Sequence, residues 1–243
     1  MDGLRSRALA LVLVVVMVPI TARAGEFIQP WKDPSTALVI DPFSGNGIKW
    51  DEMQREARLV AIIHKATIGL DSLDPKYYER KTEAKKRGYL WGSYHWGLPG
   101  KPEEQADFYI DMVKPDDEEV IALDLEDVSS VKFMSLGEAE KFVMRVKERT
   151  GRYPMIYANH KTAAQISRSA FKATFASTPL WYARFRPDIS DFPLGPWKTY
   201  TLWQFSSEIR VQYRIPGTES NMDINVFYGS ADTLRRAWPF TRK

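Results

Sequence analysis

The chain has 243 residues, of which 44% are hydrophobic and 27% charged, a composition typical of soluble globular proteins. Its formal net charge is only +3, and no basic stretch with interleaved aromatic residues occurs, so the sequence gives no indication of a nucleic-acid partner. Cysteine is absent, which excludes disulfide bonds as a source of stability.

Residues 1–24 have the features of a secretory signal peptide. Arg5 and Arg7 precede an uncharged apolar stretch, residues 8–20, that is short for a membrane span. Ala22 and Ala24 supply the small side chains of a cleavage site before Gly25. We predict export to the periplasm or the extracellular space, with contact to the membrane only through this segment. An uncleaved membrane anchor is the alternative. Cleavage would remove three arginines and one aspartate and lower the net charge to about +1.

Eight short apolar runs in the remaining chain are typical of buried strands, and several of them end in polar or aromatic residues. They span residues 37–41, 59–65, 89–95, 120–126, 155–158, 180–183, 201–204 and 222–226. Helical signals fill the early gaps. Pro102 can open one helix, and a second has a capping box at Ser135 and Glu138 and a stop at Gly151.

Strands that alternate with helices predict a parallel sheet with right-handed crossovers. After about residue 175 the gaps shrink and prolines punctuate them, which leaves little room for helices. We therefore predict an α/β fold, a modified TIM-type barrel of the form (β/α)5(β)3. It should form a single domain over residues 37–243, preceded by a short N-terminal extension at residues 25–36, and act as a monomer.

The most informative feature is the pair of carboxylates Asp124 and Glu126 at the end of the fourth run. Side chains alternate along a strand, so both acids should point to one face while Leu123 and Leu125 point to the other. Burying two acids at a strand end is costly unless they are paired, hydrogen-bonded or used. A structural ion-pair network is the alternative to a catalytic pair.

Other polar and aromatic residues lie near the ends of the remaining predicted strands, and the functional face of such barrels lies at the carboxyl ends of the strands. The further candidates are Asp41, Tyr94, His95, Tyr157, Trp181, Gln204 and Asp223. Carboxylates supply the acid and the base for splitting an acetal, and aromatic rings present flat apolar faces to sugars. This combination predicts a glycosidase site.

An ordered set of short motifs resembles glycoside hydrolase family 25, the lysozymes first typified by a fungal muramidase. The motifs are Ile40-Asp41 with Gly47-Ile48-Lys49-Trp50, Lys65-Ala66-Thr67 with Gly69 and Asp74-Pro75, Gly92-Ser93-Tyr94-His95-Trp96, Leu123-Asp124-Leu125-Glu126, Pro154 with Ile156-Tyr157, Leu180-Trp181 with Ala183, Trp203-Gln204-Phe205-Ser206, and Asp223-Ile224-Asn225. Each motif alone is weakly specific for the family, whereas the occurrence of all of them in the family's order is strongly specific. The resemblance covers about residues 37–229.

The resemblance implies a lysozyme that cleaves the β-1,4 bond between N-acetylmuramic acid and N-acetylglucosamine in peptidoglycan, with retention and without a cofactor. Glu126 would be the general acid/base, and Asp124 would stabilise the positively charged sugar or orient the 2-acetamido group. Asp41 and Asp223 would hold the network and bind substrate. Two departures from the family pattern, Pro42 and Ile68, put substrate preference in doubt more than catalysis.

Two other functions remain open from the sequence. The acids could ligate a metal in a metal-dependent hydrolase, although the three histidines make a zinc centre a poor fit. Activity that survives a chelator would argue against a metal-dependent hydrolase. The chain could also be a non-catalytic peptidoglycan-binding module, which would bind cell walls without releasing reducing sugar. For the aromatic candidates and His95, a structural role is the alternative to contact with sugar.

Overall fold

A computed structural model describes residues 25–241 and contains a closed barrel of eight strands. The strands in chain order are β1 Ala37–Ile40, β2 Leu59–Ile68, β3 Ser72–Leu73, β4 Leu90–Trp96, β5 Val120–Asp124, β6 Met155–Asn159, β7 Leu180–Ala183, β8 Leu202–Ser206 and β9 Ile224–Phe227. The short β3 only adds a hairpin to the end of β2. The barrel order is β1-β9-β8-β7-β6-β5-β4-β2, and pairing of β1 with β2 closes it.

Helices cover the first part of the barrel, as predicted. They are α1 Trp50–Met53, α2 Tyr77–Lys86, α3 Pro102–Val113, α4 Leu136–Thr150, α5 His160–Arg168, α6 Lys172–Phe175 and α7 Ala231–Ala237. From β7 to β9, a stretch that the structure describes throughout, the connections are loops. The capping box of Ser135 and Glu138 begins α4, and Gly151 ends it with a φ of 75°. The modified α/β barrel is confirmed.

The last barrel strand differs from the predicted parallel arrangement. The strands from β1 through β8, apart from the β3 hairpin, pair in parallel, but β9 is antiparallel to both β1 and β8. The reason is the connection, residues 207–223, which stays at the carboxyl end of β8 and turns the chain back. Asp223 therefore reaches this rim by preceding β9, whereas the other acids follow their strands.

The barrel interior is apolar in its lower part and polar at its upper rim. On β5, Val120 and Ala122 face inward below Asp124, while Leu123 belongs to the core between barrel and helices. On β6, Met155 lies in the same inner cluster. Strand alternation carries this order upward, because every second residue returns to the interior.

The segment before β1 packs on the helix-poor side of the barrel. Trp31, 3% exposed, stacks on Phe205 with ring centroids 4.3 Å apart and meets Trp203 edge-on at 5.0 Å. Phe27 stacks on Phe192 at 5.7 Å. The segment covers β8 where a helix would otherwise lie. We therefore propose that residues 25–36, predicted to be an extension, belong to the same single domain as the barrel.

The predicted signal peptide, residues 1–24, lies outside the described residues. Within residues 25–241, no helix combines the length and the apolar character needed to cross a bilayer.

Replacing Trp31 by Ala should destabilise the protein by about 3 to 5 kcal/mol, because it removes a large buried ring and leaves a cavity. Urea unfolding measures the loss. Lys32→Ala, a change at the exposed neighbouring position, should shift the free energy of unfolding by less than about 0.5 kcal/mol. A loss below about 1 kcal/mol for Trp31→Ala would contradict the inclusion of this segment in the domain.

Candidate active site

A cavity of about 350 Å³ opens at the rim where the parallel strands end. Six of the nine residues predicted for the site line it, namely Asp41, Tyr94, Glu126, Tyr157, Gln204 and Asp223. They come from β4, β6, β8 and the segments next to β1, β5 and β9. Residues far apart in sequence therefore converge because each lies toward the same end of the barrel.

A hydrogen-bonded chain of side chains fixes Asp41 at the bottom of this cavity. Gln204 Nε2 donates to Asp41 Oδ2 at 2.8 Å, and Gln204 Oε1 accepts from the Tyr157 hydroxyl at 2.9 Å. Gln204 Nε2 also lies 3.4 Å from Asp223 Oδ2. One amide thus links two carboxylates and a tyrosine, which fixes the relative positions of β1, β6, β8 and the start of β9.

The structure adds Asn225, a residue that the sequence analysis noted only as part of a motif. This fully buried amide donates to Asp41 Oδ1 at 2.6 Å and to the Val39 carbonyl at 3.1 Å, and accepts from Trp181 Nε1 at 2.5 Å. Its spacing of two from Asp223 was a usable signal, since alternation places both on one face of β9.

Asp124 and Glu126 lie close enough for the charge of Glu126 to raise the pKa of Asp124, but they differ in depth. Asp124 ends β5, is 9% exposed, and its Oδ1 is buried without a hydrogen bond to any described residue. Glu126 lies beyond the strand and lines the cavity. The carbonyl of Glu126 accepts from the Thr162 hydroxyl and, at 3.4 Å, from Asn159 Nδ2, so the start of α5 holds this segment.

Burial dominates the electrostatics of the two deepest acids. It raises the pKa of Asp41 well above its ordinary value, and the nearby charge of Asp223 raises it further. Burial likewise raises the pKa of Asp124 well above its ordinary value, reinforced by the charge of Glu126 and opposed by Lys65. Because several carboxylates share a poorly solvated site, the cluster holds protons that isolated acids would lose.

The two outer acids show the same direction. Burial, followed by the charge of Asp127, raises the pKa of Glu126. Burial raises the pKa of Asp223 to about 7, helped by the charges of Glu208 and Glu126. The site can therefore retain a donatable proton near neutral pH, which is what a general acid requires.

Lys65 supplies positive charge close to this cluster. Its Nζ lies 4.6 Å from the ring centre of Phe43 and 5.3 Å from that of Trp96, and burial lowers its pKa. Cation–π contacts of this kind hold the ammonium in place while leaving Asp124 without a direct ion pair.

Two of the predicted residues do not face the cavity. His95 is fully buried on the outer side of β4, between Thr67 and Gln105, because its neighbour Tyr94 occupies the inward position. This burial favours the structural role of His95 that the sequence left open over contact with substrate. Trp181 is 1% exposed and packs edge-on against Tyr157 at 5.0 Å, so it supports the floor of the cavity rather than a sugar ring.

The departures from the family pattern leave the cavity intact. Pro42 accepts the Lys65 amide at 2.9 Å through its carbonyl, and Ile68 pairs with Ser72 in the β3 hairpin. As for the metal hypothesis, residues 25–241 contain no group of three or more His, Asp or Glu side chains arranged to hold an ion.

Comparison with known proteins identifies the family. The sequence-family model described as "Glycosyl hydrolases family 25" matches residues 40–213 of the chain. The chain belongs to this family. The resemblance inferred from the motifs is thus confirmed, and with it membership among the glycoside hydrolases.

Individual relatives agree with the family assignment. The chain is 28% identical over 202 residues to Lysozyme M1 of Streptomyces globisporus, which covers 77% of this chain and 66%, just under two thirds, of that protein. The bacterial lysozyme of Streptomyces coelicolor has a similar structure, with a TM-score of 0.69 and 26% identity over 84% of this chain and 97% of its own. A muramidase from Trichobolus zukalii is also similar, with a TM-score of 0.66 and 27% sequence identity. The match covers 82% of this chain and 97% of the muramidase.

Asp223→Asn should change how stability depends on pH. A carboxyl group whose pKa is about 7 in the folded chain, against about 4 when unfolded, binds more protons folded than unfolded between these values. The free energy of unfolding of the wild type should therefore fall as pH rises from about 4 to 8. The free energy of unfolding of the variant should fall less, and the two decreases should differ by roughly 1 to 4 kcal/mol.

Urea unfolding at a series of pH values measures this difference. Asp71→Asn, at an exposed position, is the matched control and should run parallel to the wild type. A parallel curve for Asp223→Asn would show that burial does not raise the pKa of this carboxyl group.

Proposed function

We propose that this protein is a peptidoglycan hydrolase that cleaves the β-1,4 bond between N-acetylmuramic acid and N-acetylglucosamine. One observation carries the proposal: in this member of glycosyl hydrolase family 25, Glu126 lines the rim cavity above a cluster of buried acids. Similarity to lysozymes and muramidases supports the choice of peptidoglycan as substrate.

In the proposed mechanism, Glu126 is the general acid/base. It donates its proton to the leaving glycosidic oxygen and then takes a proton from the incoming water. Its position in the cavity and its raised pKa support this role. The carboxyl group must be protonated when the substrate binds, and burial favours that form.

Asp124 acts on the positive charge that develops at the anomeric carbon, either directly or by orienting the 2-acetamido group of the substrate. This role requires the ionised carboxylate, a form that the charge of Lys65 favours against burial. The Oδ1 of Asp124 forms no hydrogen bond to any described residue, which supports the role because this oxygen can face a positive centre. Retention of configuration follows from the family resemblance and completes the proposal.

The other residues serve positioning and binding. Gln204 and Asn225 hold Asp41, and Asp223 completes the polar floor of the cavity. Tyr94 and Tyr157 line the cavity and offer aromatic surface to a sugar ring. We further propose that the protein is exported, acts as a monomer on the glycan strands and needs no cofactor.

Glu126→Gln should lower the rate of reducing-end release from purified peptidoglycan by at least about 1000-fold, because the amide cannot donate the proton at the leaving oxygen. The melting temperature should stay within a few degrees of the wild type, since the hydrogen bonds of this residue to the start of α5 use its backbone carbonyl. Glu118→Gln, at an exposed position before β5, is the matched control.

The same assay separates the alternatives. A Glu126→Gln variant as active as the wild type would refute the assignment of the acid. A wild type that binds cell walls without releasing reducing ends would be a binding module, and loss of activity on adding a chelator would favour a metal-dependent hydrolase. Mass spectrometry of the product ends identifies whether muramic acid or glucosamine is the new reducing sugar.

A further inference from the structure

A second groove adjoins the active-site cavity and is lined by cations. Its volume is about 460 Å³, and Lys161, Arg184, Arg186 and Arg210 line it. We call it the basic groove. It shares three lining residues with the catalytic cavity, namely Asn159, Ala183 and Phe185. A ligand lying across both would therefore run continuously from Glu126 into the basic groove.

Among the described residues, only two carboxylates form ion pairs with the four cations of the basic groove. Asp127 Oδ1 pairs with Lys161 Nζ at 3.2 Å. Asp191 Oδ2 accepts from Arg184 Nη2 at 3.0 Å and from Arg186 Nη1 at 3.2 Å, so a single carboxylate serves two guanidinium groups. Arg210 Nη1 donates to the Phe185 carbonyl at 3.0 Å, which holds its side chain across the groove but does not neutralise it. The groove thus keeps excess positive charge.

Two further details favour an anionic ligand. The Nε of Arg184 is buried without a hydrogen bond to any described residue, so this guanidinium keeps an unused donor. The nine-residue helix α5 begins at the groove, with Asn159 as its N-cap and His160 and Lys161 as its first residues. The positive end of the helix dipole adds to the charge of the side chains.

We propose that the basic groove binds carboxylates of the peptide attached to muramic acid. This inference rests on the proposed function. The acetylated sugars of the glycan are uncharged, whereas the peptide on the lactyl group of muramic acid carries free carboxylates. Arginine is well suited to carboxylates because its planar fork can donate two parallel hydrogen bonds. Sugar in the catalytic cavity would leave the attached peptide within reach of the groove.

Phosphate groups of other wall polymers share the anionic chemistry, so the test must separate the two sources. One portion of soluble, uncross-linked glycan strands keeps its phosphate-bearing polymers, and the rest is stripped of them. One half of the stripped strands keeps its peptides. An amidase removes the peptides from the other half, and the lactyl carboxylate that this hydrolysis frees is capped as its methylamide. The ratio of kcat/KM on the two stripped substrates, from initial rates of reducing-end release, measures the preference for peptide.

The wild type should prefer peptide-bearing strands by about 10-fold, and Arg186→Gln/Arg210→Gln should reduce this preference to about 2-fold through loss of kcat/KM on the peptide-bearing strands. High salt should weaken the wild-type preference, because exposed charges are screened. Arg55→Gln/Lys86→Gln removes two exposed charges near the starts of β2 and β4, at the opposite end of the barrel, and should keep the preference.

The remaining outcomes contradict either the assignment of the basic groove to peptide carboxylates or the proposed hydrolase function. A wild type without preference, or a double variant that keeps it, overturns the peptide assignment. Faster cleavage of strands that retain phosphate polymers, with no effect of the peptide, assigns the basic groove to phosphate instead. If neither substrate yields reducing ends, the proposed hydrolase function fails and this inference with it. Circular dichroism checks that the variants are folded, as expected for exposed positions.

Discussion

The site depends on the burial of Asp41 between two neutral amides. Gln204 and Asn225 each donate to one of its oxygens, and neither brings a charge. An arginine in their place would form an ion pair and pull the pKa of this carboxyl down. The amides instead fix the geometry without adding a charge, and their hydrogen bonds lower the pKa of Asp41 less than burial raises it. Burial therefore raises the pKa values of all four acids, including that of Glu126, which supplies the proton in the proposed cleavage.

The barrel makes this arrangement possible through the period of its strands. Inward positions alternate along each strand, so the same face that carries Val120 and Ala122 low in the barrel carries Asp124 at the top. The apolar floor excludes water from below, and the cavity admits it from the rim. Desolvation of the acids, and with it their raised pKa values, is thus a consequence of hydrophobic residues two and four positions earlier in the sequence.

Much of the fold and of the site was predictable because it rests on local patterns. Apolar runs marked the strands, the capping box of α4 was explicit, and the polar residues near the strand ends included six that line the cavity. Long-range packing was not predictable. The reversal of β9 depends on where its connecting loop lies, and adjacent residues such as Tyr94 and His95 cannot both face inward, but the sequence does not say which one does. The amide bridge of Asn225 required knowing that β9 pairs with β1.

The packing of Trp31 on Phe205 and Trp203 has a consequence for the order of folding. The first described residues of the chain cannot pack until their partners near its end have been synthesised. The same holds for the pairing of β1 with β9, which closes the barrel. Contacts of such long sequence separation form slowly. A ribosome-bound or partly emerged chain consequently lacks a finished barrel. This delay suits a polypeptide threaded through a translocation channel before it folds, as the proposed export requires.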